Sequence, residues 1–309
     1  MKLKGPLLLL ITAFLWGMGF VAQTSAAQEI EPFTFNAARN FAGTLFLALL
    51  VAWRMRSGHD TPPSTDGSGY SPRTLVIASI VCGTLLFAAG FLQQWGITAY
   101  PPETAASSRS GFLTTTYVVM VAFIAFFLGK RPTPLVFFSI GLTVLGMYLL
   151  CVPDGLGSVY LGDWLVLGCA LVYSFHIILI DRYTNLDAVR LSTLQLFVAA
   201  VLSLVCALIF ETPSLTAIMA ALVPILYTGI VSNGIAFTLQ IFGQKTTPPA
   251  AASIIMTLEG VFAALGGWLI LSEKLTPIEI LGCILVFAAA IIAQIPELTR
   301  KELTRAPSA

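Results

Sequence analysis

Residues 101–134 read PPETAASSRSGFLTTTYVVMVAFIAFFLGKRPTP, and residues 248–277 read PPAAASIIMTLEGVFAALGGWLILSEKLTP. Each stretch opens on a proline pair, continues as an apolar run, and closes in a charged turn. The turns are Gly129-Lys130-Arg131-Pro132-Thr133-Pro134 and Ser272-Glu273-Lys274-Leu275-Thr276-Pro277. Pro248 lies 147 residues after Pro101, and Pro277 lies 143 after Pro134, so the two stretches match in order once a small indel is allowed. An offset of that size divides a 309-residue chain into two related halves.

Working outward, further apolar runs fill the rest of the chain. A bilayer core about 30 Å thick takes about 20 apolar residues of helix, and runs near that length occur at 5–23, 33–53, 74–97, 104–128, 133–152, 161–180, 191–210, 216–241, 249–271 and 276–295. They are apolar on every face, unlike the alternating strands of a membrane barrel. The expected fold is therefore all-α, a polytopic membrane protein of ten transmembrane helices. Residues 1–153 form the first five-helix repeat, residues 154–296 the second, and 297–309 a tail. The segment 54–73 (RMRSGHDTPPSTDGSGYSPR) is rich in Gly, Pro and Ser and is expected to be a flexible loop.

Five is odd, so the second repeat enters the membrane upside down relative to the first. Such inverted repeats support alternating access, because exchanging the conformations of the halves gives two states of similar energy. If the N-terminus is inside, thirteen Lys and Arg residues fall on that side and only Arg109 and Lys274 on the other. Basic loops stay in the cytoplasm, so both termini are expected there and the protein in a cell inner (plasma) membrane. Lys2, Lys4, the first apolar run and Ser25-Ala26-Ala27 also resemble a cleavable leader; the repeat requires this segment as its first helix.

Composition narrows the function. Hydrophobic residues make up 57% of the chain and charged residues 10%, with a net charge of +1. No basic face follows a phosphate backbone, which excludes nucleic acid as a partner. The five cysteines stand singly, without the close pairs of a metal or redox site, and two histidines, His59 and His176, are too few for a histidine-based metal centre. No phosphate-binding loop and no nucleophile elbow occurs. A secondary carrier without cofactors, working on a small molecule in the lipid bilayer, is expected rather than an enzyme. A non-transporting structural or regulatory membrane protein is the alternative.

Ionisable groups inside a bilayer cost at least a few kcal/mol unless they face a cavity or a partner, which singles out Glu259 and Arg39. Glu259 lies near the midplane of its span, and Arg39 about six residues inside the second. Their depths differ by roughly 9 Å at about 1.5 Å per residue. Glu259 is expected to receive a substrate ammonium or a coupling proton, and Arg39 a substrate carboxylate, unless the two form a structural ion pair. Asn36, Arg39, Asn40 and Gly43 share one helical face. Gln93, Gln94, Tyr117, His176 and Asn233 are further polar groups at membrane depth, each a candidate for the site or for helix–helix hydrogen bonds. His176 is also a candidate proton relay, and Trp16, well inside its span, a candidate wall of an amphipathic pocket.

At these landmarks the chain resembles the drug/metabolite transporter superfamily, in its two-repeat EamA branch. The resemblance rests on Leu15-Trp16-Gly17-Met18-Gly19-Phe20 in the first span, Arg39 early in the second, and Leu258-Glu259-Gly260 followed by Ser272-Glu273 around the ninth. Gly260 stands where the family usually has proline, Ser272 where it has glycine, and Lys130 where the first repeat often carries glutamate. The resemblance implies an inner-membrane carrier, often an exporter, of amino acids or other small metabolites.

Overall fold

A computed structural model describes residues 4–57, 72–127, 134–151, 159–183, 186–247 and 255–305. Most of the 54–73 loop, the proline pair at 248–249 and residues 128–133 of the first turn lie outside these. The expected runs are helices: α1 (Lys4–Ala26), α2 (Pro32–Arg56), α3 (Pro72–Thr98), α4 (Ala106–Thr115) and α5 (Tyr117–Phe127) sharing the fourth span, α6 (Pro134–Cys151), α7 (Leu161–Arg182) and α8 (Ala188–Phe210). The eighth span is composite: α9 (Leu215–Ala220), α10 (Leu222–Leu226), a π-helix (Tyr227–Ala236) and α11 (Phe237–Thr246). The ninth is α12 (Leu258–Ile270), and the tenth α13 (Pro277–Arg305), which runs on through most of the expected tail. Among the described residues, six helical stretches are long and apolar enough to cross a membrane on their own.

Proline sets several starts. Pro32, Pro72, Pro134 and Pro277 each occupy the first helical residue, where the missing N–H costs nothing. At α8 the cap is Asp187, whose carboxylate accepts from Arg190 N at 2.9 Å. Partial burial pushes that carboxyl up, but Arg54 and the Arg190 N–H outweigh it and hold it below the ordinary aspartate range.

Inversion of the halves is visible in helix direction. Arg54 at the end of α2 pairs with Asp187 at the start of α8 (Nη2 to Oδ2, 3.0 Å). At the other end, Glu211 after α8 accepts from Phe33 N and Thr34 N at the start of α2, both at 2.7 Å. Two helices in second place in their halves thus run antiparallel. The fourth-place helices do the same: Phe112 of α4 faces Gly260, Gly111 faces Ala263, and Ser107 faces Gly267.

The distribution of polarity is that of a protein in lipid. Large apolar side chains such as Phe210, Val223 and Leu208 point outward, with Phe210 72% exposed. Asn36, Arg39, Gln93, Gln94 and Glu259 are buried. Small residues let helices close around them. A Cβ on Gly17 of α1 would sit 2.7 Å from the carbonyl oxygen of Glu259, so only glycine lets α1 press on the start of α12.

Candidate functional site

The fourth and ninth spans are both interrupted near their middles. In the fourth, α4 gives way to α5 at Thr116, whose N–H reaches back only to Leu113 O, at 3.2 Å. The hydroxyls of Thr115 and Thr116 bond to Phe112 O and Leu113 O at 2.7 and 2.6 Å. Such back-bonding offers the backbone an alternative to the helical ladder. In the ninth, the helix breaks at Thr257, and Gly260 N bonds to Thr257 O at 3.3 Å. Discontinuous helices at bilayer depth are tolerated where they are enclosed in protein or line a cavity. Tyr117 follows the first break directly, and Glu259 comes two residues after the second.

Glu259 is 4% exposed and Arg39 5%, yet they do not pair. Arg39 Nη1 donates to Gln23 Oε1 of α1 at 2.7 Å, and its guanidinium lies 5.3 Å from the Phe35 ring centroid. Arg39 Nε has no hydrogen-bond partner among the described residues. Nor does Glu259 Oε1; the Tyr117 hydroxyl lies beside that carboxyl but short of hydrogen-bond geometry. Tyr173 and Cys169 of α7 stand close enough to interact electrostatically with both charges. A buried guanidinium and a buried carboxyl group thus share neighbours on α7, each with an unused hydrogen-bonding atom. Buried polar atoms ordinarily find partners, so this arrangement suits a ligand carrying both signs of charge.

The remaining sequence-chosen residues serve helix contacts. Asn40 Oδ1 accepts from Asn233 Nδ2 at 2.8 Å, tying α2 to the π-helix. Trp16 Nε1 donates to Ser232 O at 3.1 Å, and its ring meets Phe237 edge-on. Gln93 Nε2 reaches Thr114 Oγ1 at 3.4 Å, and Gln94 Nε2 reaches Gln23 O at 3.2 Å. His176 Nε2 and Gln195 Oε1 share a hydrogen bond of 3.1 Å between α7 and α8. Asn36 Nδ2 donates to Pro32 O at 2.8 Å and to Gly90 O at 3.2 Å. Asn36 and Gly90 flank Arg39 Nη2, so Asn36 borders the Arg39 guanidinium, while among the described residues His176 and Trp16 make no hydrogen bond to Arg39 or Glu259.

Comparison with known proteins decides the family. The EamA-like transporter family matches this chain twice, over residues 3–152 and 160–294. The chain belongs to the EamA-like transporter family. An uncharacterized transporter of Archaeoglobus fulgidus is 29% identical over 301 residues, covering 95% of this chain and 87% of that one. The uncharacterized transporter YoaV of Bacillus subtilis is 25% identical over 280 residues, covering 88% and 90%. One solved crystal structure shares the fold with a TM-score of 0.66 at 18% identity, over 96% of this chain and 100% of that one.

Within this EamA transporter, sequence reasoning missed Gln23, Cys169 and Tyr173 around the two charges. Gln23 lies near the end of α1 and Cys169 and Tyr173 inside α7, in runs with no polar face to mark them. It also missed a buried cluster beyond the site. Arg109 of α4 makes a two-pronged pair with Asp163 of α7 (Nε to Oδ1 2.6 Å, Nη2 to Oδ2 2.8 Å), and Tyr100 hydroxyl donates to the same carboxylate at 2.9 Å. In sequence Arg109 bears only on topology, yet it is 2% exposed. The signal was available: an Arg and an Asp near the ends of two spans on the same side of the membrane.

Proposed function

We propose that this membrane transporter is a secondary carrier, an exporter, of small zwitterionic metabolites such as amino acids or related amphipathic compounds. Its two inverted halves would exchange conformations around the neighbourhood of Glu259 and Arg39. The observation that carries the reading is that these two ionisable groups are buried, separate, and each left with an unpartnered atom. An internal ion pair would have consumed both; leaving two buried ionisable groups unpaired is costly, a cost that a bound ammonium and carboxylate would offset. Glu259 receives the ammonium or a coupling proton, Tyr117 and Tyr173 give an amphipathic wall, and Arg39 receives the carboxylate. Both termini lie in the cytoplasm, in keeping with thirteen basic residues on their side against two on the other.

The test is counterflow in proteoliposomes with a panel of radiolabelled amino acids, amines and carboxylates. Glu259→Gln is expected to lower transport of the accepted substrate more than tenfold with protein still inserted. Near-normal transport by that variant would remove Glu259 from the site.

A further inference from the structure

The face opposite the chain termini is held together by a contact that the central site does not use. Glu273, in the turn after α12, reaches across to the start of α4. Its Oε1 accepts from Ser107 N at 2.8 Å; its Oε2 accepts from Ser107 Oγ and Ser108 Oγ, both at 2.7 Å, and from Ser108 N at 3.1 Å. A carboxylate on the first N–H groups of a helix satisfies orphan donors and meets the positive end of the helix dipole. Here the carboxylate comes from the partner span, so the bonds join two spans rather than cap one.

Two features of the ninth span serve that reach. Ser272 adopts a left-handed backbone (φ 57°) and is the sole non-glycine residue to do so among those described. The turn it makes brings Glu273 N back to Gly267 O at 3.1 Å and aims the side chain over α4. At Gly267 a Cβ would collide with both the Glu273 carboxylate and the Ser107 hydroxyl. A strained turn and a close-approach glycine thus both favour one contact. Nearby, Arg109 joins the fourth span to Asp163 of the sixth at 2.6 Å and approaches Glu279 of the tenth at 3.8 Å, so the same face is cross-linked further. In the first repeat the sequence places Lys130 at the position of Glu273. An ammonium has three donors and no acceptor, so it has no means of taking hydrogen bonds from a helix start.

We infer that Glu273 is a latch: it ties the end of the ninth span to the start of the fourth, holds the face opposite the termini shut, and must release for that face to open towards Glu259. The inference rests on the carrier reading above. It makes Glu273 a positioning residue that acts through the spans and touches no substrate. It also makes the two faces unequal, because the sequence supplies no matching acid at position 130.

The experiment reads opening directly, without substrate, in the full chain. Ser110 is buried one turn below Ser107 on the side of α4 that meets the ninth span. Ser110→Cys is labelled with a membrane-impermeant maleimide in proteoliposomes, and Glu103→Cys, at an exposed position, marks the molecules whose corresponding face meets the reagent. With Glu273 intact the Ser110→Cys rate is expected to be low. Glu273→Ala and, separately, Gly267→Ala are expected to raise it at least tenfold, and Ser107→Ala with Ser108→Ala about threefold. Rates within twofold of the intact latch in folded Glu273→Ala protein would overturn the inference. If Glu273→Ala does not yield folded protein, the serine pair decides, because it leaves the carboxylate and both backbone donors in place; an unchanged rate there overturns it equally. Counterflow on Glu259→Gln is independent of this labelling, so failure of the carrier site and failure of the latch give different results.

Discussion

The fourth and ninth spans occupy the same place in their halves, cross where Gly111 meets Ala263, and break at Thr116 and Thr257 respectively. Their chemistry is unlike. The fourth carries Thr114, Thr115 and Thr116 through its break, all neutral; the ninth carries Glu259. By alignment of the charged turns, Thr116 occupies the place of Glu259. The comparison separates two requirements. Inversion constrains the backbone, since both halves must be able to adopt each other's shape. On the proposed carrier reading, binding constrains single side chains instead, and an acid in one half with an Arg in the other would serve a ligand with two charges.

The strongest way to break the comparison is to move the acid. Glu259→Thr is expected to lower counterflow at least tenfold, to near the protein-free baseline. Adding Thr116→Glu is not expected to restore it, because Arg39, Gln23, Cys169 and Tyr173 stay where they are while the acid moves to the other half. Recovery to half the original rate or more in the double variant would mean that the two halves are chemically interchangeable.

The sequence revealed backbone symmetry better than it revealed the site. Ten apolar runs, their odd number per half and the paired landmarks were readable because desolvation in lipid acts on every residue of a span. Glu259 and Arg39 were readable for the same reason, as charges in apolar runs. The breaks were not. A threonine hydroxyl that bonds its own helix is compatible with continuation or interruption, and only the packing of α4 against α12 selects the second. The π-helix at 227–236 was equally silent; its wider turn sets Gly229 against the Arg39 carbonyl and Gly43 of α2. Nor does a span that is apolar all round reveal which face turns inward, so Tyr173 and Cys169 gave no sign that they stand near both Arg39 and Glu259. The choice between ion pair and binding site was open in sequence, and the hydrogen bond from Arg39 to Gln23 bears on it through a side chain that periodicity does not mark.

The crossing itself can be probed. A Cβ on Gly111 would lie 2.5 Å from the Ala263 Cβ, with Gly260 Cα at 3.5 Å on the same side. The spans must separate to admit it, and overpacking of this kind costs about 1–3 kcal/mol. Gly111→Ala is therefore expected to lower the melting temperature of purified protein by several degrees. The same substitution at Gly141, where nothing lies within 4 Å of an added Cβ, is the matched control and is expected to leave it unchanged or slightly raised. An equal loss at both glycines would mean that the crossing of the fourth and ninth spans is not where the packing is tight.

The smallest effect lies in the turns. The first repeat has Gly129 where the second has Ser272, and Ser272 sits at φ 57°. A residue with a Cβ pays roughly 1–2 kcal/mol in the left-handed region, a cost that glycine avoids while giving back part of it as chain entropy in the unfolded state. Ser272→Gly is expected to raise stability by about 1 kcal/mol, seen as a small increase in melting temperature. The hydrogen bonds of Glu273 to Ser107 and Ser108 do not involve the Ser272 side chain, so the turn keeps its course and the gain comes from relieved strain alone. A loss of stability would mean that the serine contributes more than its backbone costs, and the two turns would then differ in more than the residue that closes them.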